Sequence, residues 1–160
     1  MKQTLIDRFK YLWTWELINA FVMFPAFVFI MSLNIRIGFP TLIATTSVGV
    51  LLIVGAAFAY LKYRDLKAGT HRIRNYAMTF NLLRWLFPVL LAGVLGLIYA
   101  QSGFERSPEM WLWVPLYVLA VLEYINYFHI QLMYDNPGDV QHLIKYRKLK
   151  RGLIPREFGW

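Results

Sequence analysis

Apolar positions fall into four long runs, at about 11–32, 41–61, 77–100 and 111–134, separated by short polar segments. Each run reaches the ~20 residues that an α-helix needs to cross the hydrocarbon core of a bilayer. The pattern therefore predicts an all-α, polytopic integral membrane protein: a four-helix transmembrane bundle in one domain, 1–160. Short amphipathic surface helices are expected at both termini. In MKQTLIDRFK, Leu5, Ile6 and Phe9 share a face, with Lys2, Asp7, Arg8 and Lys10 around the rest. After the helix-stopping run DNPGD at 135–139, the tail 138–152 sets Val140, Leu143, Ile144, Tyr146 and Leu149 against a basic face. That face carries Lys145, Arg147, Lys148, Lys150 and Arg151, as in helices that lie on a membrane surface.

Within the spans, Trp13 and Trp15 sit where interfacial anchors are expected, and Pro25 predicts a kink in the first span. Small residues four apart, Thr45/Gly49, Gly55/Ala59 and Ala92/Gly96, predict close helix approach.

Composition strengthens this picture. Hydrophobic residues make up 58% of the chain, against ~45–50% in soluble domains. The first apolar run is longer than the ~7–15-residue core of a signal peptide and no clear cleavage site follows it, so it reads as a retained span. There are no cysteines, which excludes disulfides, thiolate nucleophiles and Cys-ligated zinc or iron–sulfur clusters.

Basic residues are distributed asymmetrically. Three precede the first span, five lie in 62–76 and six in the tail, fourteen on one side, against Arg36 and Arg106 on the other. The positive-inside rule then places both termini and the 62–76 loop in the cytoplasm, in a cell membrane. The net charge of +8 reads as attraction to anionic lipid at that face rather than to nucleic acid, for which no base-reading motif is visible. A protein partner or a homo-oligomer is compatible with the sequence.

Candidate chemistry is one-sided. Glu16, Asn19, Asn81, Arg84, Glu123, Asn126, His129 and Gln131 all fall in the cytoplasmic halves of their spans. At ~1.5 Å per residue, Glu16 lies roughly 8 Å, Arg84 roughly 10 Å and Glu123 roughly 16 Å in. Ionisable groups at such depth are costly unless paired or put to use. The expectation is a buried network in which Arg84 is the cation and Glu16 and Glu123 compete for it. Such a network would fix helix register, line a ligand cavity or carry protons. His129 has no second histidine within a span to complete a haem, no metal-binding spacing is present and no Ser–His–acid set exists, so neither cofactor nor metal is expected. The run KYRKLKRGLIP at 145–155 resembles the ends of membrane isoprenylcysteine methyltransferases. That family's Arg-His-Pro element and paired glutamates are missing, and no family is assigned on it. The functional expectation is a non-enzymatic accessory subunit or a binder of a lipid or quinone-like ligand. The alternatives are an oligomeric proton-linked transporter or channel, and an enzyme acting on a lipid at the cytoplasmic surface.

Overall fold

A computed structural model describes residues 2–104, 106–132, 144–145 and 149–160. Its helices are α1 (Lys2–Ile18), a π-helical turn (Asn19–Met23), α2 (Phe24–Ser32), α3 (Phe39–Ala68), a 3₁₀ turn (Arg72–Tyr76), α4 (Ala77–Ser102), α5 (Met110–Phe128) and α6 (Leu153–Phe158). Four stretches are long and apolar enough to cross a membrane: Gln3–Ser32, Phe39–Ala68, Arg72–Ser102 and Met110–Phe128. Among the described residues there is no strand, only an isolated antiparallel bridge between Ile130 and Arg151.

The first stretch differs from expectation in two ways. The N-terminal segment is continuous with the span rather than a separate surface helix, because no Gly or Pro interrupts 2–18. Phe9 and Leu12 are buried in the core. The chain also widens into a π turn just before Pro25. A proline inside a helix has no N–H to give and its ring crowds the carbonyl four residues back; a π turn absorbs both effects.

α3 is the central helix and packs against α1, α2, α4 and α5. Its buried side holds Ala44, Val48, Leu51, Leu52, Gly55, Ala56, Phe58 and Ala59, and dispersion and close packing join it to its neighbours. Of the small-residue pairs, Gly55/Ala59 lies at a close contact. Gly49 and Gly96 have nothing within 4 Å of where a Cβ would be. Spacing alone cannot distinguish a packed face from one turned outward.

α4 is tied to the bundle by two hydroxyls of α5. Tyr117 donates to the Leu91 carbonyl at 3.0 Å and Tyr124 to the Arg84 carbonyl at 2.9 Å. The second bond has a cause in the sequence. Pro88 lies four residues after Arg84 and offers no N–H to that carbonyl, so Tyr124 satisfies it from the neighbouring helix.

Loops close the two ends differently. At one end, Glu109 Oε1 accepts from Gly38 N (2.8 Å), Thr41 N (3.2 Å) and Thr41 Oγ1 (2.7 Å), capping α3 from across the bundle. At the other end, buried Asp65 accepts from Ile73 N at 2.7 Å and Thr70 Oγ1 at 2.9 Å, folding 69–76 beneath α3. Lys62 pairs with Glu157 at 2.6 Å and thereby brings the tail to this second end.

The C-terminal region departs most from expectation. The last span was predicted to reach Tyr134; α5 stops at Phe128. Asn126 Oδ1 accepts from Leu132 N at 2.9 Å, and Gln131 N and Gly152 N bond to the carbonyls of Lys150 and His129 at 2.8 and 2.9 Å. The chain is thus extended at 130–132 and pairs with the returning tail. Of the predicted surface helix 138–152, residues 138–143 and 146–148, with Arg147 and Lys148, lie outside the described residues. The described part is not a surface helix at Arg151 and Gly152. α6 follows instead and turns inward: Ile154 and Pro155 are buried, and Phe158 meets Phe58, Phe80 and Trp160. This hexapeptide is too short for hydropathy to have shown it as core.

Candidate functional site: a carboxylate pocket between α1, α3 and α5

The predicted polar residues separate into two groups. The first gathers where α1, α3, α5 and the tail meet at the basic end. A cavity of about 30 Å³ is lined by Arg8, Leu12, Glu16, Gly55, Phe58, Ala59, Asn126, Tyr127, Gln131 and Leu153. In such a volume there is room for one or two waters or a bare cation.

Tyr127 is the hinge of this group. It is 3% exposed, and its hydroxyl stands beside the carboxyls of both Glu16 and Glu123. Gly55 makes its position accessible: a Cβ there would lie 2.5 Å from Tyr127 Cζ, so the ring lies flush against the α3 backbone. Glu123 adjoins the cavity through Tyr127 and through Asn126, whose Nδ2 donates to Glu123 Oε2 at 3.5 Å. Gln131, 4% exposed, lines the cavity from beyond the end of α5, and its Oε1 accepts from Arg156 at 3.4 Å.

Two oxygens in this group are buried without a hydrogen-bond partner among the described residues, Glu16 Oε2 and the Tyr127 hydroxyl. Although both carboxyls lie beside the phenol, no bond of good geometry joins it to either. Nor does either carboxyl form an ion pair within 4 Å with a described residue. Buried polar atoms are nearly always satisfied, by protein, water or ligand. Of the two carboxyls only Glu16 lines the cavity, together with the Tyr127 phenol and Arg8. Glu123 stands behind Tyr127 and Asn126, and the Asn126 and Gln131 amide oxygens already accept from Leu132 N and Arg156. The two unpartnered oxygens, Glu16 Oε2 and the Tyr127 hydroxyl, are the acceptors left for something small and positive.

The second group lies at the α4–α5 edge. Arg84 is not the partner of Glu16 or Glu123, which corrects the expected network. Its guanidinium sits 5.7 Å from the Trp85 ring centroid and 5.8 Å from that of Trp160. His129 Nε2 lies 2.8 Å from the Tyr124 hydroxyl. Asn81 is exposed one turn below Arg84 on α4. Depth along the chain put Arg84 level with the glutamates, but depth carries no information on which way a helix face turns.

Asn19 belongs to neither group. It opens the π turn and lies in an apolar groove of about 470 Å³ with Met23, Phe24, Phe27, Trp111 and Leu116. In the basic cluster, Arg151 donates to the Trp160 carbonyl at 3.1 Å, and Lys145 is exposed. Among the described residues no group of three or more His, Cys, Asp or Glu could hold a metal ion.

Sequence reasoning missed Arg8, Gly55 as the seat of Tyr127, and the tail residues Gly152 and Leu153. A Cβ at Gly152 would lie 2.7 Å from the Tyr127 carbonyl and 2.8 Å from that of Asn126, so glycine lets the tail close this end of the pocket. The glycines of GLIP and VGAAFA were the available signals, though neither named its neighbour.

No family model matches the chain, and neither a curated protein nor a solved structure shows significant similarity to it.

Proposed function

We propose that the protein is a non-enzymatic, four-span integral membrane protein that binds a proton or a small monovalent cation in the Glu16–Tyr127–Glu123 pocket. The observation that carries this reading is a pair of oxygens, Glu16 Oε2 and the Tyr127 hydroxyl, with no partner among the described residues, beside a cavity of about 30 Å³, with the Glu123 carboxyl adjoining through Tyr127. In a low-dielectric surround two neighbouring carboxylates are unfavourable. Arg8 lines the same cavity but no ion pair joins it to either among the described residues, and a bound proton or cation offsets the remaining negative charge. The arrangement holds no nucleophile–base pair that would turn over a substrate.

The cavity is too small for a lipid or quinone headgroup, which favours the small-cation reading over the larger-ligand one expected from sequence. Volumes suited to an apolar chain lie elsewhere, in the groove at Asn19 and in another of about 540 Å³ lined by Phe21, Val28, Val50 and Ile53; in a bilayer, acyl chains fill them.

The basic end, where Arg8, Lys62, Lys145, Lys150 and Arg151 lie, faces the cytoplasm and its anionic leaflet. Glu109 ties the opposite end shut against Gly38 and Thr41, so access to the pocket is from the cytoplasmic side. Binding rather than passage through a single chain is the function this geometry supports.

The test is binding of radioactive sodium to the purified protein at several pH values, with release of protons followed in parallel. Saturable sodium binding, competed by protons and lost in Glu123→Gln, supports a shared cation site. A protein that neither binds sodium nor exchanges a proton at these carboxyls contradicts the reading, and leaves them a role in helix register alone.

A further inference from the structure

The Arg84 cluster is unused by the pocket. Arg84 carries a permanent charge on α4, half-buried between two indoles. Among the described residues no carboxylate pairs with it and no side-chain acceptor takes its N–H groups. Indole faces attract the flat side of a guanidinium but leave its five N–H donors, which point outward in the plane, without acceptors. A charge so placed within a span calls for an anion.

Its surroundings indicate what kind. Trp85 is 67% exposed and Asn81 is exposed on the same outward side of α4, so the site opens laterally rather than into the bundle. Tyr124 spends its single hydroxyl hydrogen on the Arg84 carbonyl. His129 Nε2 must then be the donor to Tyr124, which in the neutral ring leaves Nδ1 an acceptor, so the imidazole braces Tyr124 and the anion falls to Arg84. Arg151 adds positive charge beside Trp160. The site lies toward the basic end of its span, roughly 10 Å in from the end of the apolar run, a depth that a long guanidinium side chain can bridge toward the lipid phosphates. A guanidinium fork matches two oxygens of a phosphodiester, while Trp side chains favour the headgroup boundary.

We propose that Arg84, flanked by Trp85 and Trp160 and joined by Asn81, holds the phosphate of a cytoplasmic-leaflet phospholipid. This rests on the four-span orientation proposed above and is independent of what the carboxylate pocket binds.

The experiment is native mass spectrometry of the full chain in detergent, titrated with dioleoylphosphatidylglycerol. The wild type should retain one lipid at low ratio. Arg84→Gln should weaken that step by about ten-fold or more, the loss expected for a charge-assisted bond. Arg84→Lys should fall between, as a point charge without the fork. Lys67→Gln, a basic residue elsewhere at the same end, should leave it unchanged. Equal affinity in wild type and Arg84→Gln overturns the proposal. Should Arg84→Gln not fold, equal affinity of Arg84→Lys and wild type overturns recognition by the fork. Displacement of the lipid by inorganic phosphate overturns the lipid as the source of the anion. A chain that stays monodisperse without detergent would overturn the membrane reading itself, a separate failure.

Discussion

Tyr127 rests on the α3 backbone at Gly55 so closely that a methyl group at 55 would fall 2.5 Å from Cζ and 2.6 Å from the hydroxyl oxygen. The phenol is thereby held between Glu16 of α1 and Glu123 of α5, with α3 as its floor. Gly55→Ala should destabilise by roughly 1–3 kcal/mol, because a buried ring has no room to move aside. Tyr127→Leu in the same chain should recover part of the loss, and the double-mutant cycle in thermal unfolding measures the coupling. Additive effects of the two substitutions would mean that the residues do not meet.

Tyr127→Phe separates packing from chemistry. It keeps the ring on Gly55 and removes a hydroxyl that has no partner among the described residues. Thermal stability should change little, since no hydrogen bond is lost, whereas cation affinity should fall. A large loss of stability with unchanged binding would assign the hydroxyl a structural role.

Pro88 and Tyr124 form a second coupled pair. Tyr124→Phe strands the Arg84 carbonyl that Pro88 cannot serve, at a cost of about 1–3 kcal/mol. Pro88→Ala restores an N–H four residues on, so in that background the same substitution should cost clearly less. Thermal unfolding of the four variants decides it; an equal cost in both backgrounds would contradict the account.

Orientation is tested by cysteines placed at Gly69 and Gly103, both at left-handed helix ends with open space around them. An impermeant thiol reagent applied to intact cells should label 103 and spare 69. Labelling at 69 alone would reverse the assignment. The structure supports the comparison, since Lys62–Glu157 and Gly38–Glu109 place the two loops at opposite ends of the bundle.

Hydropathy made the four long helices legible, and the gathering of polar residues at one end was already visible in their depth along the spans. What depth could not give was azimuth. Glu16 and Glu123 meet at Tyr127 rather than at Arg84, because α4 turns Arg84 toward Trp160 and the tail. The end of α5 was misplaced because 129–134 is as apolar and aromatic as the helix before it. The stop comes from Asn126 taking the Leu132 N–H and from pairing with residues some twenty positions later, a relationship that no local window contains. Likewise Gly55 and Gly49 are alike in sequence and differ only in what stands opposite them.

The central claim is that the two carboxyls beside Tyr127 share a proton or a small cation, and infrared difference spectroscopy of the purified protein addresses it most directly. In sodium-free buffer near neutral pH, the account predicts a protonated-carboxyl band that is lost in Glu123→Gln or in Glu16→Gln. The band should also diminish in wild type if sodium takes the proton's place. A spectrum in which wild type and both variants show carboxylate absorption alone, unchanged by sodium, would contradict it.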